Sequence, residues 1–284
     1  MTAITLEQLE KLRDINFYRS PCARISSMSA AEQFVNENGL AFAFKARNSE
    51  LPCLWHAACG QRNPVMPERT HHDPALSLVW RAKDELTVGK KIYYGKALRK
   101  TPTMISLELF PAFYATKGYC ADEVAKAQRP GNGLPRLGRR ILTALEDSPP
   151  MTTKELKQES GHSAPDKRYE FDRAMADLQQ RLLIAKIAES YDPFSFIWGR
   201  LDRWLVAEIQ RSRKFTQQEG RQIVVAKYLS RVVAATVAKT ASLFGWQPQQ
   251  VTDTFEELQQ QSIITDKCEI NETNGRWFIH TDYC

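Results

Sequence analysis

The sequence predicts an α+β fold, mostly helical, made of tandem winged helix-turn-helix modules. Three observations predict it. Residues 139–200 read as helix, short helix, longer helix and two strands, the order of a winged helix. That order returns at 217–284. The longer helix of the first copy carries Phe171, Met175, Leu178 and Leu182 at i, i+4, i+7 and i+11, a helical apolar stripe.

The elements follow in order. Residues 5–14 and 29–37 predict short amphipathic helices. Ser29 is read as the cap of the second, with Glu32 completing a capping box, and Gly39 as its stop. Leu40–Lys45 predicts a strand, and 51–60 a helix ending at Gly60. The Pro-rich 61–74 is a loop. Strand-like LSLVW (77–80 with its leading Leu76) and KKIYYG (90–95) flank a basic stretch. From about Ser106 a helix is favoured, with Pro111 tolerated or ending its first part. The Gly/Pro break at 130–138, including Gly131-Asn132-Gly133, reads as a linker and the first boundary.

In the middle module, Ile141, Leu142 and Leu145 share a helix face. Thr152 or Thr153 caps the second helix, Gly161 stops it, and Asp166 opens the third. Residues 182–190 and 191–199 are the wing strands, with the turn near Ser190–Pro193. Helices then follow at 201–210, 220–235, 236–245 and 248–261, with Pro248 in the first turn of the last. Residues 263–282 predict a hairpin turning at Asn274-Gly275. The expected division is 1–135, an α/β region with a basic hairpin and a candidate diverged winged helix; 136–202, a winged helix; and 203–284, a C-terminal winged helix.

The chain has 284 residues, 43% hydrophobic and 25% charged, which are globular values. Its longest apolar runs, such as 223–226 and 232–235, are far too short to cross a bilayer. Its first residues lack the apolar core of a secretion signal, so a cytoplasmic monomer without membrane contact is expected. The net charge is +6. It is concentrated at 81–100, where seven Lys/Arg stand against Asp84 and Glu85. This balance suits nucleic acid. The six cysteines are scattered, so reduced thiols are the expectation. Cys53, His56 and Cys59, with His71 and His72 downstream, are residue types that zinc uses, yet no paired CxxC or HxxxH exists, and packing is the preferred reading. Neither a metal nor a cofactor is expected. GxxxxGK[ST], GxGxxG after a strand, HExxH and GxSxG are all missing.

Duplex DNA is the expected partner. Lys90, Lys91, Lys96, Arg99 and Lys100 of the basic stretch are candidate phosphate contacts. On the third helix, the face opposite the apolar stripe carries Tyr169, Arg173, Ala176 and Gln180, where Arg and Gln suit base edges in a major groove. Lys167, Arg168 and Arg181 flank it as phosphate contacts. Asp166, Glu170, Asp172 and Asp177 oppose this reading, because acids repel phosphates. The last module's third helix has no Lys or Arg, and its outer face of Gln249, Asp253, Glu256 and Gln260 reads as structural. The aromatic YDPFSFIW is a candidate base-stacking surface, with wing packing preferred.

One stretch, FDRAMADLQQRLLIAKIAESYDPFSFIWGRLDR, resembles the AlkZ/YcaQ group of winged-helix DNA glycosylases. There, a helix leads through a wing to an FDPxxWxR-like segment. Here that segment is Tyr191-Asp192-Pro193-Phe194, then Trp198-Gly199-Arg200. The AlkZ-related bacterial branch is closer still. Its GxxFxF, LPxLW, YGK and TxxSLEL patterns match Gly39–Phe44, Leu51–Trp55, Tyr94-Gly95-Lys96 and Thr103–Leu109. The resemblance spans about residues 30–265. It implies tandem winged helices around duplex DNA, with a diverged first copy within residues 1–120. It also implies a Gln-x-Gln or Gln-x-Asp pair that positions water. The corresponding Leu40-Ala41-Phe42-Ala43-Phe44 has neither Gln nor carboxylate, and phenyl groups cannot deprotonate water. No catalytic residue is carried over. The expected function is binding of damaged or distorted duplex DNA. The alternatives are an active glycosylase for alkylated bases, with Glu108, Asp84 or Glu85 as its acid, and a transcription regulator.

Overall fold

A computed structural model describes residues 3–46, 50–117, 133–146, 149–267, 269–271 and 275–284. A short leading strand β1 (Ala3–Ile4) precedes α1 (Leu6–Asn16), whose Thr5 and Gln8 form a reciprocal cap. Then one connectivity occurs three times. The first copy comprises α2 (Met28–Asn38), β2 (Leu40–Phe42), α3 (Leu54–Cys59), α4 (Pro74–Arg81), β3 (Ile92–Leu98) and β4 (Thr101–Ser106). A linking helix α5 (Phe110–Ala115) follows.

The second copy comprises α6 (Arg136–Ala144), β5 (Met151–Thr152), α7 (Thr153–Glu159), α8 (Arg168–Gln180), β6 (Ile184–Tyr191) and β7 (Phe194–Arg200). Two short helices, α9 (Leu201–Trp204) and α10 (Val206–Ser212), connect it to the third. That copy comprises α11 (Gln217–Val232), β8 (Ala234–Thr236), α12 (Val237–Phe244), α13 (Pro248–Gln260), β9 (Ile264–Thr265), β10 (Glu269–Ile270) and β11 (Trp277–His280).

In every copy the strand between the first two helices pairs with the last strand of the hairpin. The sheet orders are β2-β4-β3, β5-β7-β6 and β8-β11-β9. The molecule is therefore a tandem winged-helix protein, and the leading region has the same connectivity as the other copies. Among the described residues no helix is long and apolar enough to cross a membrane.

Local chemistry explains most boundaries. Thr152 with Glu155, and Thr216 with Glu219, form capping boxes. Gly39 ends α2 at φ +71°, a conformation that costs glycine little. Phe171, Met175, Leu178 and Leu182 are all buried, with Leu156 and Trp198 in the same cluster as the first three.

Several boundaries differ from the sequence reading. The α2 cap is Ser27, whose side chain accepts from the Ala30 amide, not Ser29. The stretch containing LSLVW is helix α4, not strand. Asp73 caps it and Pro74 occupies its first turn, so local capping overrides the β-prone composition. The helix favoured from Ser106 begins at Phe110, because 101–106 is held as a strand between β2 and β3. The third helix of the middle copy becomes α-helical at Arg168, after a 3-10 turn over Pro165–Lys167. The last hairpin pairs β9 with β11, while β10 leaves it to run parallel with β1. Asn274, Cys120, Cys268 and the Gly131-Asn132 part of the proposed linker lie outside the described residues.

The copies share cores. Phe110, Phe113 and Tyr114 of α5 sit in one cluster with Tyr93 of the first copy, Leu182 of the second and Tyr228 of the third. A separate cluster joins Leu9 of α1 to Val233, Trp277 and Ile279. Arg13 fixes that joint: its Nε donates to the Val232 carbonyl at 2.8 Å and its Nη2 to the Ala234 carbonyl at 3.0 Å.

Candidate nucleic-acid interface and central cavity

The β3–β4 hairpin presents its charge at the turns. Leu98 pairs with Thr101, so Arg99 and Lys100 are the two central residues of a tight turn. Both have left-handed backbones, φ +50° and +54°, positions usually given to Asn or Gly. Each costs roughly 1–2 kcal/mol in a residue with a side chain. Lys90, at the other end of the hairpin, is also left-handed, at φ +50°. Lys90, Lys91, Arg99 and Lys100 are exposed and Lys96 is half-buried.

The hairpin lies directly against α8. Lys100 Nζ is 2.5 Å from Asp177 Oδ1, and the Lys96 amide donates to Gln179 Oε1 at 3.2 Å. This contact changes which part of α8 is presented. Lys167, Arg168, Tyr169 and Arg173 are exposed, Tyr169 at 77%. Ala176 is buried and Gln180 half-buried, so the exposed part of this face narrows to the first half of the helix. Arg181 is half-buried, and its Nη2 donates to the Gly133 carbonyl at 3.0 Å. The acids are partly answered: Asp177 by Lys100, Asp172 by Arg168 at 3.6 Å, and Glu170 by His162 at 3.4 Å.

The three carboxylates singled out by sequence are dispersed. Glu108 is exposed in the turn after β4. Glu85 pairs with Arg81 at 2.8 Å on the surface. Asp84 belongs to an ion network between the first two copies. Lys186 Nζ lies 2.6 Å from Asp84 and 2.8 Å from Glu189, and Lys83 Nζ lies 2.6 Å from Asp84. Lys186 also sits over the Tyr94 and Phe196 rings, at 5.3 and 5.0 Å. Burial alone raises the Asp84 pKa, but hydrogen bonds from Lys186 and Lys83 more than offset it and hold the carboxyl below its ordinary value. Both lysines bond the same Asp84 oxygen, Oδ1, and favour the ionised form, so the carboxyl holds no proton for a general acid to give at neutral pH.

None of these acids lines the cavity beside α1. That cavity, of about 900 Å³, opens between α1, the first copy and the third. Its walls include Phe17, Phe42, Tyr228 and Trp277, and its carboxylates are Glu10 and Glu50. Glu10 pairs with Arg13 at 2.8 Å and Arg19 at 2.9 Å. Glu50 pairs with Lys239, faces Arg13 at 3.6 Å, and accepts from the Tyr228 hydroxyl at 3.4 Å. Lys45, also on the wall, donates to the Asn63 amide oxygen at 3.1 Å. Arg99 of the hairpin turn borders the same cavity.

Sequence reasoning missed this site, whose walls come from residues 6 through 277. One signal did point at it. Phe42, in the strand where the resemblance expects a water-positioning Gln, is on its wall.

His56 also lines the cavity, and its Nε2 is buried without a hydrogen-bond partner. Burial, then the charges of Lys45 and Arg19, push its pKa down to about 4, so it is neutral at physiological pH. The Cys53 thiol is pushed up to about 12 by burial, and burial likewise raises Cys59. Among the described residues no cluster of His, Cys, Asp or Glu has metal-binding geometry.

A family model described as "AlkZ related" matches residues 25–245. Curated protein sequences include no match. Among solved structures, the DNA glycosylase AlkZ of Streptomyces sahachiroi has a similar fold, with a TM-score of 0.65 and 15% identity. The superposition covers 99% of this chain and 71% of that one. At such identity the likeness is one of fold.

Proposed function

The chain belongs to the AlkZ-related family, and from that premise we propose that it binds duplex DNA, with damaged or distorted duplex as its target. One observation carries the reading. Adjacent residues at one turn connect two features: Lys100 touches the third helix of the middle copy, and Arg99 borders the central cavity. A duplex held by the hairpin and by Lys167, Arg168 and Arg173 would then run beside the cavity mouth.

The chemistry of holding is electrostatic. Lys90, Lys91, Arg99, Lys100, Lys167, Arg168 and Arg173 are exposed. Cations that displace counterions from phosphates bind without reading sequence. Tyr169 and Arg173, both exposed, supply the side chains for base-edge or groove contact. The chain divides functionally at about 135 and 202 in this reading, with the third copy closing the cavity rather than reading DNA.

The test is a fluorescence-anisotropy titration of intact, abasic and alkylated duplexes at stepped salt. Expected are tighter binding to the altered duplexes and steep weakening with salt. Undetectable duplex affinity at low salt would end the proposal.

A second reading, hydrolysis of a glycosidic bond, has one observation in its favour: Glu10 and Glu50 share the cavity with cations, whereas Glu108, Asp84 and Glu85 do not reach it. The similar solved structure is titled a DNA glycosylase. Abasic sites after incubation with alkylated duplex would support it. Tight binding without base release leaves a binding protein.

A further inference from the structure

We propose that the central cavity is a nucleotide site, which takes a nucleoside phosphate with an uncharged base. The inference deepens the DNA reading for one source of that ligand, an extruded nucleotide of a bound duplex. A free mononucleotide has the same chemistry and needs no duplex.

Size is the first argument. A cavity of about 900 Å³ falls within the span of small-molecule sites and exceeds what one base needs. Charge is the second. Six Lys and Arg line the walls against Glu10 and Glu50. Asp14 and Glu7 behind Arg62 reduce the excess without cancelling it. Such walls favour a phosphate and disfavour a positively charged base. Lys45 is the wall lysine that faces an amide oxygen and, among the described residues, has no carboxylate at ion-pair distance. It is assigned to the phosphate.

Unpaired polar atoms are the third argument. His56 and Trp277 are each 6% exposed, and both line the cavity. His56 Nε2 and Trp277 Nε1 are buried with no hydrogen-bond partner. A buried polar atom left unpaired is costly, and a base edge, which carries donors and acceptors side by side, has the chemistry to pair with such atoms. Lys239 Nζ lies over the Trp277 ring at 4.4 Å, so Trp277 offers the cavity its edge and indole N–H rather than an open face.

Two assays on the full chain test this. In calorimetry, deoxyadenosine monophosphate is titrated beside deoxyadenosine, inorganic phosphate and the N7-methylated, cationic monophosphate. In fluorescence, 2-aminopurine is placed in a duplex whose binding is followed separately by anisotropy. We expect the monophosphate to bind about tenfold more tightly than the nucleoside, the cationic analogue about tenfold more weakly than its parent, or 2-aminopurine to brighten on duplex binding. Lys45→Glu should abolish the phosphate preference, and Trp277→Phe should weaken the ligand while keeping the ring. A bound duplex with dark 2-aminopurine and no mononucleotide binding overturns the cavity inference and leaves DNA binding standing. Mononucleotide binding without duplex binding does the reverse. Tighter binding of the cationic analogue, or equal binding of inorganic phosphate by wild type and Lys45→Glu, overturns the assignment.

Discussion

Lys100 Nζ lies 2.5 Å from Asp177 Oδ1, which joins the turn of a basic hairpin to the third helix of the next winged-helix copy. In a DNA-binding surface, that pair holds a cation away from phosphate while masking an acid. Asp177→Asn should free Lys100 and tighten duplex binding several-fold. Lys100→Ala should weaken it and leave Asp177 bare. The pair is partly exposed, so neither change should move thermal stability by more than about 1 kcal/mol. Weaker binding by Asp177→Asn would contradict the assigned surface.

Lys90 and Lys91 are exposed, with Lys91 only loosely paired to Glu32 at 3.8 Å. Changing both to Ala should reduce the slope of log affinity against log salt by about 2, since each lost phosphate contact removes roughly 0.9. The same change should leave the melting temperature nearly unaltered. An unchanged slope would place the duplex elsewhere.

Lys186 is the centre of a buried ion network, with its side chain 5% exposed and that of Glu189 also 5%. Lys186→Ala would leave Asp84 and Glu189 close together without it, and should cost about 3–5 kcal/mol in denaturant unfolding. Because the Asp84 carboxyl is held below its ordinary pKa, its contribution is present above pH 4. That contribution is lost as pH falls through the folded-state value. Lys186→Met, which keeps much of the volume, should be the milder variant.

His56 titrates at about 4 in the fold, against 6.5 for an ordinary histidine. The unfolded chain binds the proton more readily, so the stability linked to this group is full above pH 6.5. It declines as pH falls from 6.5 toward 4, by about 3 kcal/mol at most. His56→Gln should flatten that portion of a stability–pH curve. A parallel curve for the variant would show that His56 is not the titrating group.

Gly220 brings α11 against α5, where a Cβ would lie 2.7 Å from the Ala112 carbonyl oxygen. Gly220→Ala gains helix propensity but must separate the two helices, so a net loss of about 1–3 kcal/mol is expected in thermal melts.

The parts legible in the sequence are those set by neighbours along the chain. The stripe of Phe171, Met175, Leu178 and Leu182 was readable from spacing, and all four are buried. Thr152 capping and the stop at Gly39 were readable for the same reason. Helix α4 was misread because Val79 and Trp80 are strand-favouring types, and their conformation is decided by Asp73 and Pro74 ahead of them. The cavity was out of reach. Its Glu50, Tyr228, Lys239 and Trp277 meet only through tertiary packing, and no local pattern pairs residues so distant. The sequence likewise left Ala176 and Gln180 on an open face, which the neighbouring hairpin partly covers.

Arg13 reaches carbonyls of Val232 and Ala234, and the leading strand Ala3–Ile4 pairs with Glu269–Ile270. That strand therefore finds its partner only across roughly 260 intervening residues. Closing a loop of that length is an entropic step deferred to the end, and it slows the last stage of folding. Until then α1 exposes Leu9, and one wall of the cavity does not exist. Ligand binding in the cavity would become possible only once α1 has docked against the third copy.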